Sequence, residues 1–194
     1  PLHWVADPVV LRSNRKEILA IRRFLNSDGD RYWLGVFGEI NARKNLPLLL
    51  EAIQAQPNVG LLIAGSVDPE VAYAAKTLLS DFVANGGRVI HLDGPLTDEK
   101  FDSDIAAVDC VVAAYSTEAS SGVVLKAAAS GKRLILAGAK CLRNDARQLG
   151  SQATWTTLDV HELRRAVEQA QHLPAPAAGV PLSADEFVRA LTGK

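Results

Sequence analysis

The sequence predicts a doubly wound parallel α/β sheet, and three observations carry that prediction. Short apolar runs, among them Tyr32–Phe37, Gly60–Ala64, Cys110–Ala114 and Arg133–Ala137, are unbroken rather than alternating, as strands buried on both faces are. Segments of helical period lie between them, so strand and helix alternate along the chain. The stretch 109–137 is the clearest unit: a strand, a polar turn at Tyr115–Ser121, an alanine-rich helix opened by Gly122 and stopped at Ser130-Gly131, then a second strand.

Taken in order, residues 1–31 combine an extended start with a helix that Ser13-Asn14 is placed to cap, with Ile18, Ile21 and Leu25 on one face. Asn26–Asp30 is a turn, and Tyr32–Phe37 is the first strand. Gly38–Lys44 is a polar loop, and Asn45 is placed to cap a helix over Leu46–Gln56, in which Leu49, Leu50 and Ile53 fit a 3.6 period. After Gly60–Ala64, a helix over Pro69–Val83 ends at Asn85-Gly86-Gly87. Arg88–Leu92 is the third strand, followed by Gly94-Pro95 and a helix over Thr97–Ala107 whose first turn is acidic. Beyond the central unit come a loop holding Cys141, a short helix Asn144–Leu149, a short strand Ala153–Trp155 and a helix Val160–His172. Pro174–Pro181 is a stiff proline- and alanine-rich connector, and Ser183–Leu191 is a closing helix. The chain thus divides into 1–31, a linker plus leading helix; 32–172, the α/β domain; and 173–194, connector and terminal helix. Ligands on such sheets bind beyond the carboxyl ends of the strands, which puts the loops after Phe37, Ala64, Leu92 and Ala114 on one rim.

The 194 residues suffice for one large domain with a real core. A net charge of −1 gives no reason to expect nucleic acid or an anionic membrane as partner. No apolar run approaches the roughly 20 residues a transmembrane helix needs, and the start, PLHWVADPVV, lacks the pattern of a secretory signal. Cys110 and Cys141 make no disulfide framework and read as reduced thiols of a cytoplasmic protein. His3, His91, His161 and His172 have no metal-ligand spacing. The chain contains no methionine and opens on an extended DPVV segment, and we read it as the C-terminal part of a longer protein.

The turn before the alanine-rich helix carries chemistry. Unpaired amides and the positive dipole end at a helix start favour a phosphate group. Ser120, Ser121 and Gly122 leave room for such a ligand and add hydroxyl donors. The bland alternative is that Ser120 or Ser121 caps the helix and binds nothing. Trp33 and Trp155 read as packing residues, and Trp4 as part of an interface with another domain.

Two rim loops, GVFGEINARKN at 35–45 and STEASSGVVLKAAASGKRLI at 116–135, with LLIAG at 61–65 between them, give the chain its resemblance. In this order, and together with AVDCVVAAYSTE at 107–118, they resemble the C-terminal, Rossmann-like domain of GT-B glycosyltransferases of the retaining family-four group, over most of residues 32–172. The resemblance implies a domain that holds a nucleotide-diphosphate sugar, while an N-terminal domain holds the acceptor. It implies a hexosyltransferase-like enzyme in the full-length protein, a fragment inactive alone, and no metal or other cofactor. Lys44, with Arg43 beside it and Gly38 behind, matches the basic residue that contacts the diphosphate. Glu118 matches the first of two glutamates flanking the donor, so Lys44 and Glu118 are the catalytic candidates. Gly122 and Val123 match the amides that hold the distal phosphate, and Pro95 and Leu96 the segment against the base.

Two positions depart from that pattern. The second glutamate, which takes the ribose hydroxyls, falls at Lys126, and an ammonium accepts no hydrogen bond. Lys126 is then either a solvated side chain or a third cation near the phosphates. The arginine of the first loop is Glu39, an acid that repels a phosphate unless Arg43 or Lys44 pairs with it. A non-catalytic module with a degenerate site, serving structure or assembly, is the rival reading. Peripheral membrane contact of the full-length protein stays open.

Overall fold

The computed structural model describes residues 8–118 and 121–176, together with Arg189. Trp4, Ser120 and, apart from Arg189, the expected helix Ser183–Leu191 lie outside the described residues, as does most of the proline-rich connector. Seven α-helices and six strands alternate among the described residues: α1 (Arg15–Leu25), β1 (Tyr32–Phe37), α2 (Leu46–Ile53), β2 (Val59–Ala64), α3 (Pro69–Ala84), β3 (Arg88–Leu92), α4 (Asp98–Ala107), β4 (Cys110–Tyr115), α5 (Gly122–Ala129), β5 (Arg133–Gly138), α6 (Lys140–Leu149), β6 (Ala153–Thr156) and α7 (Val160–His172). Short 3₁₀ turns occupy Ala42–Lys44 and Gly150–Gln152.

All strands are parallel, in the order β3-β2-β1-β4-β5-β6. The chain winds outward from β1 to β3, returns, and winds the other way from β4 to β6. Order therefore reverses between β1 and β4, and sheets of this class bind ligands in the crevice beyond the carboxyl ends of the strands at such a reversal. The register sharpens that crevice. β1 pairs with β2 along its whole length, from Tyr32–Val59 to Phe37–Ala64, and β4 pairs with β5 from Cys110–Arg133 to Tyr115–Gly138. β1 and β4 pair at Leu34–Cys110 and Gly35–Val111 and then part.

Period-two alternation sends side chains to two cores. Leu34, Val36, Leu61, Ile63, Val112 and Ile135 pack under α2, α3 and α7. Trp33, Phe37, Leu62, Val111, Ala113 and Leu136 pack under α1, α4, α5 and α6. Leu25, Ile18 and Ile21 of α1 join this second core, so the leading helix shares the core of the sheet. Trp33 is fully buried there, and its Nε1 donates to Asn26 Oδ1 at 2.8 Å. Neighbouring glycines make room for the rings: a Cβ on Gly60 would meet the Trp33 indole at 2.6 Å.

Three local expectations are corrected. α6 begins at Lys140, not Asn144, which puts Cys141 in a helix rather than a loop; the Glu118 carboxylate accepts from the Lys140 and Cys141 amides and stabilises that start from outside the helix. α2 ends at Ile53, short of Gln56, where the chain turns toward β2. Asn45 sits at the start of α2 but in the left-handed region, φ 50°, and its side chain does not cap. Its amide donates instead to Arg43 O at 2.9 Å and to Ala114 O at 2.8 Å, bridging the gap where β1 and β4 have parted.

Candidate functional site at the strand-order reversal

The first wall of the crevice grows out of β1. Gly38 follows the strand with φ 80°, and its amide donates to Ala64 O at 2.8 Å. Gly65, φ 133°, passes so close that a Cβ there would lie 2.2 Å from Gly38 O. His91, an exposed residue of the edge strand β3, holds Gly65 O from the other side, with Nε2 at 3.0 Å. The chain then tightens into the 3₁₀ turn and sends Lys44 back along β1. Its ammonium donates to Phe37 O at 2.5 Å, and the residue is 7% exposed. Gly38 is small for a reason: a Cβ would stand 3.3 Å from that ammonium.

Burial disfavours the charged ammonium, and the neighbouring Arg43 adds repulsion. Together they lower the Lys44 pKa from 10.5 to about 8, against a smaller opposing pull from Glu39. Glu39 makes no ion pair among the described residues, and its effect is to favour the Lys44 charge.

The second wall grows out of β4. Tyr115, 4% exposed, ends the strand, and the Arg43 guanidinium lies over its ring at 4.7 Å. The Tyr115 hydroxyl meets Ser121 Oγ at 3.1 Å, and Ser121 stands at the N-terminus of α5. Ser116 N donates to Arg43 O at 2.9 Å. Arg43, Tyr115 and Ser121 therefore form a continuous chain across the crevice, with Lys44 next to Arg43. The Arg43 Nη1 is buried and has no hydrogen-bond partner among the described residues. Ser121 makes no side-chain capping bond, while Gly122 is exposed. Two cations thus sit on one side of Tyr115 and, among the described residues, unbonded Gly122 and Val123 amides on the other, a combination suited to a polyphosphate.

Other expected site residues sit differently. Glu118 places both oxygens on α6, accepting from Lys140 N at 2.7 Å and Cys141 N at 2.8 Å. Those amides hold its carboxyl below the usual carboxylate range. Lys126 is half-buried and paired rather than a free third cation: its ammonium lies 2.5 Å from Asp102 Oδ1 and 5.5 Å from the Phe101 ring centroid. Asp102 is fully buried on α4 and requires a counter-charge, which draws Lys126 away from the crevice. Leu96 packs against the second core while Pro95 is exposed, on the loop that Gly94, φ 100°, turns after β3.

Sequence reasoning missed Tyr115, Asn45, His91 and Asp102 as parts of this architecture. For Tyr115 a signal existed: it continues the alternation Val111, Ala113 at the crevice end of β4. Among the described residues no helix is long and apolar enough to cross a membrane.

No protein-family model matches the sequence, and no curated protein matches it. Solved structures do match. HepE from Anabaena, in complex with UDP and glucose, aligns with 82% of this chain and 44% of its own, at 20% identity and a TM-score of 0.65. WaaG, a glycosyltransferase involved in lipopolysaccharide biosynthesis, aligns over 88% of this chain and 47% of its own, at 19% identity and TM-score 0.65. An α,α-trehalose-phosphate synthase (UDP-forming) from Burkholderia xenovorans, in complex with glucose-6-phosphate, aligns over 83% and 40%, at 10% identity and TM-score 0.67. The chain spans less than half the length of each of these proteins. At such identities the likeness is one of fold, and the resemblance read from the rim loops holds at that level: the chain has the doubly wound, Rossmann-like fold found in GT-B glycosyltransferases.

Proposed function

We propose that this chain is the donor-binding domain of a glycosyltransferase, which holds a nucleotide-diphosphate sugar for transfer to an acceptor on an N-terminal domain. The observation that carries the reading is the convergence of Lys44, Arg43 and the start of α5 on the crevice where strand order reverses. UDP is the nucleotide of choice, because a protein of this fold was solved with UDP-glucose. The diphosphate lies between the two walls, with its distal phosphate on the Gly122 and Val123 amides and the base toward Pro95 and Leu96. As the bond to the sugar breaks, negative charge grows on the departing diphosphate. Lys44, Arg43 and the α5 dipole stabilise it in place, where no reorientation is needed. These fixed charges do the work of a metal ion, and transfer proceeds with retention of configuration on the cytoplasmic side.

Glu118 then acts through α6 rather than on the sugar, as a positioning residue. A second reading, a non-catalytic module, is favoured by one observation: both Glu118 and Lys126 are committed to internal partners. Calorimetric or NMR titration of the chain with UDP, GDP and ADP tests the first reading, with UDP binding expected. No response to any of the three at millimolar concentration overturns it. Lys44→Ala in the full-length protein separates the two readings, since loss of product formation supports an enzyme and an unchanged yield supports a module.

A further inference from the structure

A serine at the N-cap, just before the first helical residue, ordinarily turns its hydroxyl back to accept from the second or third amide of that helix. For α5 these are the amides of Val123 and Val124. Val124 N is already taken by Ser121 O at 3.1 Å, so Val123 N is the one a capping hydroxyl would reach. Ser121 makes no such bond, and its Oγ is drawn to Tyr115. The tyrosine is 4% exposed and held at its ring and at its carbonyl. Arg43 covers its ring at 4.7 Å and its carbonyl accepts from Ala139 N at 2.9 Å, beside Gly138, where a side chain would collide with that carbonyl.

We infer that Tyr115 is a positioning residue that keeps the α5 amides open for the diphosphate by holding Ser121 out of its capping role. The same side chain serves both walls. Its ring is the shelf on which the Arg43 guanidinium lies, and its hydroxyl fixes the serine. Burial raises the Tyr115 pKa above its ordinary value, so the phenol stays protonated and keeps that proton to donate. The inference rests on the donor-site reading for its consequence, but its mechanical part stands without a ligand.

Tyr115→Phe tests it, because phenylalanine keeps the shelf and removes the hydroxyl. Two measurements are made on the full chain. In hydrogen exchange without ligand, the Val123 amide slows about tenfold in the variant as Ser121 turns to cap it. In titration with UDP, affinity falls about tenfold, the loss of one charge-assisted bond. The double variant Tyr115→Phe/Ser121→Ala recovers affinity relative to Tyr115→Phe alone, since the Ser121 hydroxyl is no longer there to block Val123. A merely structural tyrosine predicts the opposite, with the double variant no better than the single one. Unchanged Val123 exchange in Tyr115→Phe, or a double variant that recovers nothing, overturns the inference. Absence of UDP binding by the unmodified chain overturns the donor-site reading instead and leaves the exchange result to decide this one.

Discussion

The Lys126 ammonium lies 2.5 Å from Asp102 Oδ1, and the same fully buried carboxylate accepts from Arg12 N at 2.8 Å through its other oxygen. One side chain of α4 thus ties the extended segment before α1 to the helix whose start lines the crevice. The neighbouring Ser103 Oγ accepts from Asn14 N at 3.1 Å, so the segment is stitched to α4 twice. Asp102→Ala leaves a largely buried ammonium unpaired and an amide without an acceptor. It is expected to cost about 3 kcal/mol of stability, measured by urea denaturation. Lys126→Ala strands the carboxylate in the same way, and the double variant should cost less than the sum of the two.

Lys44 gives a pH dependence with a defined sign. Its folded pKa of about 8 lies below the ordinary 10.5, so between those values the folded chain has shed a proton that the unfolded chain still holds. This group therefore adds stability as pH rises through that window. Binding moves the other way, because a diphosphate needs the ammonium. UDP affinity should fall as pH rises past about 8, by up to about tenfold per unit. Lys44→Met should bind weakly at every pH and show no such slope, while melting at or above the parent temperature near neutrality. Calorimetry across pH and a thermal melt check both halves.

The pressed loops of the first wall predict a contrast between two glycines. Gly65 and Gly29 both have φ near 130°, at 133° and 127°, but a Cβ meets Gly38 O at 2.2 Å in the first case and nothing within 4 Å in the second. Gly29→Ala should cost about 1 kcal/mol, the backbone strain alone. Gly65→Ala should cost at least about 2 kcal/mol more and should also weaken UDP binding, because Gly38 and Lys44 must shift. Equal losses in the two variants would remove the steric account.

Glu118 predicts an effect confined to α6. Its depressed pKa means that the carboxylate stabilises the fold above the ordinary glutamate range and loses that role as pH falls through the folded value. Glu118→Ala should lower the melting temperature at neutral pH and speed exchange of the Lys140 and Cys141 amides, with the difference from the parent vanishing in acid. Exchange that is unchanged at those two amides would return Glu118 to the list of groups free to touch a ligand.

The strands were legible because an apolar run buried on both faces carries its own signature, and no partner elsewhere in the chain is needed to read it. The crevice was legible as an order of loops, since glycine, basic pair, strand and serine turn follow one another in sequence. What escaped was every feature that depends on a distant partner. The start of α6 is set by Glu118, 22 residues upstream, so local pattern placed it four residues late. Lys126 was read from its own helix, but its environment is decided by Asp102, 24 residues away. Asn45 has the residue type and position of a cap, yet Ala114, 69 residues on, claims its amide.

The parting of β1 and β4 beyond Gly35–Val111 makes the domain two half-sheets laced together along a short seam. Above the seam, cross-ties run through Asn45 and through the pile of Arg43 on Tyr115. A polyphosphate gripping both loops would act as a staple on the open end of that seam, so occupancy should be felt as stiffness across the whole sheet. If the donor-site proposal holds, the seam is where a bound diphosphate would bear on the spacing of the two half-sheets.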